Sequence, residues 1–368
     1  PRTIKAIDPT VQASCAVPMR IVTKRLKSMF KNNLFELGGF MFYLFLGTGL
    51  KPGGLDEWLK TAEAHLSTYS GRNFIVAIVA GDDTLIIESI GGKIGYVESD
   101  FSKFDRTQGI HALEAEFSIL HFLGMPLDVI DMLRKSNKTT AIYNNRRLGV
   151  KQKLPMPLQR STGAADTTLG NCLTNIMSIV YGYVMYGTYN PSDLGFCAKV
   201  KKHDSLDTAT FLKGWWSDGI WYPLPSQILK AGKILTDPLH ITRKNKRINT
   251  AIQAWSIVAK AVALGYGSIP DTYPIFGVFL KKMKAQSEEE STGLPVFLQE
   301  HKPISISTSC NRDTLIQAMV DRYSSSVEEI KDLEDLIINA PFPGVIAHPL
   351  LRKMAVVDYG DGNLNLYL

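Results

Sequence analysis

The stretch from Phe74 to Asp105 restricts the fold of this chain more than any other. FIVAIVA (74–80) is a short apolar run rich in β-branched residues and reads as a buried strand. Gly81-Asp82-Asp83 interrupts it. TLIIESI (84–90) reads as a second strand, Gly91-Gly92-Lys93 as a turn, and 94–100 as a third strand. The second and third strands have seven residues each. At about 3.3 Å per residue they run out and back over the same ~23 Å, and neighbouring strands lie about 4.8 Å apart. A simple hairpin therefore returns Asp100 to the side of Asp82 and Asp83.

Three carboxylates at one sheet edge repel one another unless a cation neutralises them. Mg²⁺ is a hard ion that takes few carboxylates, waters and phosphate oxygens. Two such ions about 4 Å apart clamp the attacking and leaving oxygens of a phosphoryl transfer. The plainer alternative is a polar β-turn with an unrelated Asp at a strand end, and Gly-Asp-Asp by itself does not decide between the two.

Two further patterns point the same way. In Asp100-Phe-Ser-Lys-Phe-Asp105, strand alternation followed by a first helical turn leaves Asp105 one layer below Asp100. In Thr162-Gly163-x3-Thr167-x3-Asn171, the glycine lets the backbone approach a ligand closely, and Thr167 and Asn171 share a helix face. A hydroxyl, an amide and a carboxylate converging on one spot can read a ribose 2′-OH, which both donates and accepts. The alternative is an N-cap followed by an ordinary core helix.

Helical spacing is predicted at 54–69, 109–123 and 126–135, then in a long helix carrying Leu169, Leu173, Ile176 and Val180. Residues 139–153 read as a basic hairpin bent at Asn144-Asn145. After 223 the chain is mostly helical, with periodic stretches at 249–264 and 311–322, and a capping-box pattern, Ser326-x-x-Glu329, before 327–338. Pro223 and Pro225 mark a domain edge near 224, and Gln286 to Glu290 (QSEEE) reads as a solvated loop. The 368 residues suffice for about two domains. With 45% apolar and 21% charged residues the chain is of ordinary globular composition, which excludes disorder, collagen and coiled coil as its theme. Lys plus Arg is 41 against 35 Asp plus Glu, a net charge of +6 compatible with a polyanionic partner. Cys15, Cys172, Cys197 and Cys310 form no CxxC pair, which fits a reducing compartment. The longest apolar run, Phe40 to Leu46, is far short of the roughly 20 residues that span a bilayer. Asn137-Lys138-Thr139 is a glycosylation sequon by pattern. The chain starts at Pro1 without an initiator Met, as a processed product or an incomplete piece does.

Together these residues resemble the palm of viral RNA-dependent RNA polymerases. The family's A element is similar to Asp100–Asp105, its B element to Ser161–Asn171, and its C element to Gly81-Asp82-Asp83. Gly195 to His203 resembles the D strand, Phe211-Leu212-Lys213-Gly214 the E element or primer grip, and Arg2-Thr3-Ile4 the end of the basic F element. C precedes A here. That order resembles the permuted palm of permutotetraviruses and birnaviruses, and the Gly-Asp-Asp resembles the permutotetravirus form. In the usual palm the second C strand lies antiparallel beside the A strand, so a short Gly-Gly turn can join them without moving a carboxylate.

The resemblance implies an α+β fold, a right-hand polymerase whose antiparallel palm sheet packs on helices, with partial fingers and a helical thumb. Its divisions would be partial fingers at 1–53, palm at 54–120, a fingers insertion at 121–160, palm again at 161–223 and thumb at 224–368. It implies two Mg²⁺ or Mn²⁺ ions at Asp82, Asp83, Asp100 and Phe101. It implies nucleotide contacts from Asp105, Ser161, Thr162, Gly163, Thr167, Asn171 and Arg2. Lys202 is the candidate acid for the leaving pyrophosphate, with Lys201 and His203 as rivals. Arg146, Arg147, Lys151, Lys153 and Arg160 would line a template or nucleotide channel; on any other protein they would be an exposed face. Trp215, Trp216 and Trp221 read as core rather than base-stacking residues. The implied partners are an RNA template and product and NTPs, with no DNA and no transmembrane segment; a protein primer is one initiation mode the family admits. The implied location is a viral replication complex in host cytoplasm. The rival readings are another two-metal palm enzyme (a reverse transcriptase or nucleotide cyclase) and a non-catalytic, basic RNA-binding protein.

Overall fold

The computed structural model describes residues 9–31, 33–138, 140–145, 149–155, 160, 166–233, 250–266, 269–286, 311–360 and 365–368. The chain divides into two compact units, one of residues 1–49 and 61–205, the other of residues 50–60 and 206–368.

The first unit runs through α1 (Pro9–Lys31), β1 (Leu34–Leu37), β2 (Phe40–Leu46), the later part of α2 (Pro52–Thr68), β3 (Phe74–Ala80), β4 (Asp83–Ile90) and β5 (Lys93–Phe101). It continues with α3 (Phe104–Thr107), α4 (Ile110–Phe122), α5 (Leu127–Asn137), β6 (Thr140–Asn145), β7 (Val150–Pro155), α6 (Thr167–Tyr186) and β8 (Ala198–His203). Six strands form one sheet in the order β1-β2-β3-β4-β5-β8. Every pairing is antiparallel except β2 with β3. Alternation sets the core. Phe42, Leu44, Leu46, Ile75, Ala77, Val79, Ile86 and Val97 all point to one face, where Phe117, Leu120, Ile130, Leu173 and Ile179 of the helices cover them. Each of these side chains larger than Ala77 contributes about 1.5–3 kcal/mol by leaving water. On β3 the alternate residues Phe74, Val76 and Ile78 are also fully buried, so the strand is apolar on both faces.

The β4–β5 turn is tighter than the sequence suggested. Ile90 pairs with Lys93, so Gly91 and Gly92 alone make the loop, at φ 58° and 78°. Two consecutive left-handed residues are the type I′ pattern that suits strand twist, and glycine adopts it without a Cβ clash. The β6–β7 hairpin is present, but its turn lies past Asn144-Asn145, because Asn145 pairs with Val150.

The second unit contains a hairpin of β9 (Gly214–Ser217) and β10 (Ile220–Pro223). The helices α7 (Gln227–Lys233), α8 (Ala251–Gly265), α9 (Phe276–Ala285), α10 (Arg312–Tyr323), α11 (Val327–Asn339) and α12 (Pro349–Tyr359) follow. A two-residue pairing of β11 (Val345–Ile346) with β12 (Leu366–Tyr367) completes it. The Ser326/Glu329 capping box opens α11, and Thr250/Gln253 makes a second one before α8. Trp215, Phe276, Phe279, Met319, Ile330, Leu350 and Met354 form the core of this unit. Trp216 is fully buried with its ring 6.0 Å from that of Trp58, and Trp221 is 5% exposed, so the three tryptophans are packing residues.

Candidate active site

Ala80 pairs with Asp83, which makes Gly81-Asp82 a two-residue hairpin loop. Gly81 sits at φ 70°, a left-handed first loop position that favours glycine. On the other side of β4, Asp83 pairs directly with Asp100. Direct partners project to the same face of a sheet. Asp82, the next residue, then has its Cα within about 9 Å of the Asp100 Cα. Thr84, one place further on, points to the opposite face, towards α6.

That helix grips the turn. Gly81 N–H donates to Cys172 Sγ at 3.0 Å, and Asn175 Nδ2 donates to Gly81 O at 3.3 Å and to Thr84 Oγ1 at 2.6 Å. Cys172 and Asn175 are three apart, hence on one helix face, and both polar groups of the Gly81 backbone are held by it. Burial pushes the Cys172 thiol up, against the bonds from Thr48 and Gly81, so it stays a neutral thiol.

Asp105 lies in α3, and Asn171 on α6 donates from Nδ2 to Asp105 Oδ1 at 2.8 Å. The carboxylate and amide expected to meet do so. Thr167 is the first residue of α6, one turn before Asn171. Phe101 is buried and stacks on Phe104 with ring centroids 3.9 Å apart, so its carbonyl is the group it can offer a ligand. Arg2, Ser161, Thr162, Gly163, Arg146 and Arg147 lie outside the described residues.

β8, from the stretch likened to the D strand, joins the sheet beside β5. Its register places Lys202 opposite Val97, three residues or about 10 Å along the strand from Asp100. Lys201 and His203 face Glu98, each 3.3 Å from its carboxylate. The lysine opposite Asp100 is Lys199, which the sequence reading passed over. In the second unit, the Phe211–Gly214 turn has two non-glycine residues in the left-handed region, Leu212 at φ 53° and Lys213 at φ 59°. Trp221 Nε1 bonds Phe211 O, while Leu224 N and Gln227 Nε2 bond Lys213 O, and these contacts hold the strained turn in place.

Arg160 overturns its expected role. It is 2% exposed, so it lies in the interior and neither lines a channel nor sits on an outer face. Its guanidinium pairs with Glu116 and, at 3.3 Å, with Asp166. Gly170 passes so close that a Cβ there would overlap Arg160 and Glu116. Burial pushes the Glu116 carboxyl up to about 7, against the pull of Arg160 and with the push of Asp166. Asn137 is also buried and donates to Asp166 Oδ2 at 3.2 Å, so its sequon is not a surface feature.

A cleft of about 300 Å³ opens beside Cys172, lined by Arg20, Thr23, Lys27, Thr48 and Thr168 among others. Among the described residues, no three His, Cys, Asp or Glu side chains already converge on one point. Mg²⁺ needs only one or two carboxylates beside water and phosphate oxygens. The adjacent Asp83 and Asp100, with Asp82 next to them, fit that donor set. Sequence reasoning missed Gln108, Cys172 and Asn175. A signal existed for Cys172 and Asn175: Asn171-Cys172-Leu173-Thr174-Asn175 is a polar cluster inside an otherwise apolar helix. Gln108 carried none.

No curated protein matches the chain. Residues 88–190 match a family model described as RNA dependent RNA polymerase. The matched stretch takes in Asp100, Asp105 and Asn171 and begins after Gly81-Asp82-Asp83. It indicates an RNA-dependent RNA polymerase, a nucleotidyltransferase, on a mixed α+β scaffold whose six-stranded sheet and packed helices are compatible with one.

Proposed function

We propose that this chain carries out template-directed transfer of NTPs in viral RNA replication and transcription, from a palm permuted in the manner of permutotetraviruses. The observation that carries the reading is the pairing of Asp83 with Asp100 across a two-residue glycine turn. That pairing supplies acidic residues from the C and A elements at one end of one sheet, with C first in the chain. The permuted order also accounts for a family match that begins after the Gly-Asp-Asp. On this reading 54–120 and 161–223 form the palm, whose sheet lies in the first unit, 1–53 are partial fingers, 121–160 are a fingers insertion and 224–368 are the thumb.

Asp82, Asp83 and Asp100, with the carbonyl of Phe101, would hold two Mg²⁺ or Mn²⁺ ions, which supply charge stabilisation to the attacking and leaving oxygens of phosphoryl transfer. Asp105 and Asn171, with Thr167 and the 161–163 loop, check the ribose. Arg20 and Lys27 give the cleft beside the Gly81 turn the charge that a phosphate-bearing strand or triphosphate needs. The Phe211–Gly214 turn takes the primer-grip role, and Arg2 touches the triphosphate. The setting is a viral replication complex in host cytoplasm, with an RNA template, NTPs and, where initiation is protein-linked, a protein primer.

The test is NTP incorporation by the purified protein on primed and unprimed RNA with Mg²⁺ or Mn²⁺. D82N and D100N are expected to lower the rate by about 10²-fold or more while RNA binding persists. Equal activity in both variants, or no incorporation by the unaltered protein, overturns the reading. Preference for dNTPs would favour a reverse transcriptase instead.

A further inference from the structure

Arg160, Gln108, Asn171 and Asp105 form one line of hydrogen bonds whose direction is set at its buried end. A guanidinium donates and never accepts. Arg160 Nε donates to Gln108 Oε1 at 2.7 Å, and Thr174 Oγ1 donates to the same oxygen at 3.1 Å. With its oxygen so committed, Gln108 turns its amide nitrogen the other way, and Nε2 donates to Asn171 Oδ1 at 2.7 Å. The Asn171 oxygen is committed in turn, so Nδ2 faces Asp105 and donates to Oδ1 at 2.8 Å. Gln108 is fully buried and Asn171 is 7% exposed. Neither amide can turn over without setting acceptor against acceptor in a low-dielectric site.

The source of the direction is itself fixed. Arg160 N–H donates to Gln108 O at 3.2 Å, and the guanidinium is held by Glu116 and Asp166. Arg160 also stands immediately before Ser161, where the B-like loop begins.

We propose that Gln108 and Arg160 are positioning residues for ribose selection: they hold Asn171 as a donor and Asp105 as an acceptor, the polarity that favours a ribonucleotide over its 2′-deoxy analogue. This rests on the nucleotide-transfer reading above. A site polarised to bond a hydroxyl discriminates against the analogue lacking it, because its polar groups are then left unmade. If the direction is lost, Asn171 no longer reports the state of Asp105 and the two nucleotides become more alike to the site.

The test uses the full chain and its Q108E, Q108M and T174V variants. In Q108E both side-chain oxygens accept. The one facing Asn171 draws Nδ2 to itself and turns Asn171 Oδ1 onto Asp105. In its crystal structure the Asn171–Asp105 pair is expected to part beyond hydrogen-bond distance, while T174V keeps it. The ratio of kcat/KM for NTP to that for 2′-dNTP is expected to fall at least about tenfold in Q108E, the loss of one charged hydrogen bond, and to stay at the unaltered value in T174V. Q108M adds no charge to the interior and gives the same fall where Q108E does not fold. A merely structural role for Gln108 slows both nucleotides alike and leaves the ratio unmoved. An active chain whose ratio is unmoved in Q108E and Q108M, or an intact Asn171–Asp105 pair in Q108E, overturns this proposal alone. No NTP incorporation by the unaltered chain overturns the polymerase reading and the selecting role together.

Discussion

Glu116 is a buried acid whose ordinary ionisation works against the fold. Its carboxyl pairs with Arg160, yet Oε1 finds no hydrogen-bond donor among the described residues, and Asp166 adds a second acid to the cluster. Burial outweighs Arg160 and raises the carboxyl to about 7. A group raised in the folded state binds its proton there after the unfolded chain has released it. Its contribution is therefore fully present below the unfolded value near 4.5 and is lost as the pH rises through about 7. The variant E116Q cannot titrate and keeps a bonding partner for Arg160. Its unfolding midpoint, measured against the parent chain from pH 4 to pH 9, is expected to gain on the parent as the pH climbs to about 7 and to gain no more above it. A constant difference across that range contradicts the raised carboxyl. Sequence reading reached Asp105 and Asn171 because both lie in short patterns of fixed spacing. It could not reach Arg160, which follows the exposed Lys151 and Lys153 in sequence while its partners Glu116 and Gln108 are distant in sequence. Burial of a single arginine leaves no local trace.

At the scale of elements, strand length was legible and strand register was not. Equal runs around Gly91-Gly92 fixed the β4–β5 pairing to within a residue, because a two-residue hairpin leaves no slack. No short turn pins β8, which reaches the sheet through Asn190 to Cys197, and its sequence AKVKKH alternates too weakly to show which lysine meets Asp100. The observed pairing of Asp100 with Lys199 puts the two on one face, and Lys202 on the other beside Val97. A cation next to the carboxylates is placed to offset charge that develops on a leaving phosphate. K199M is therefore expected to lower kcat for NTP incorporation by about tenfold or more, with K202M changing it less than about threefold. The reverse order would mean that the catalytically useful cation is reached by a different strand position than this register gives. α6 shows the same division. Its apolar spacing was plain in the sequence, while its hold on Gly81 through Cys172 and Asn175 depends on how close the helix lies to β3 and β4.

For the whole molecule, composition says only that the chain carries a net charge of +6; where the charges stand decides what they can do. That residues 50–60 join 206–368 in one unit was not legible either. It depends on contacts such as the 2.7 Å bond from Trp221 N to Asp56 Oδ1, made across a long stretch of chain. Arg160 leaves the set of cations available to a polyanion because its charge is spent on Glu116 and Asp166. Lys151 and Lys153 stay in that set, since both are exposed on β7. Each lysine that neutralises a phosphate of single-stranded RNA releases condensed counterions, about 0.7 in the slope of log K against log salt concentration. Replacing Lys151 and Lys153 together by alanine is therefore expected to make that slope shallower by about 1.4, with affinity falling most at low salt. Residues that read bases would shift affinity by a similar factor at every salt concentration and change its dependence on RNA sequence. An unchanged slope would take the β6–β7 hairpin out of the RNA path and turn attention to two other basic surfaces, α1 with Arg20 and Lys27 at the cleft beside Gly81 and β8 with Lys199 opposite Asp100.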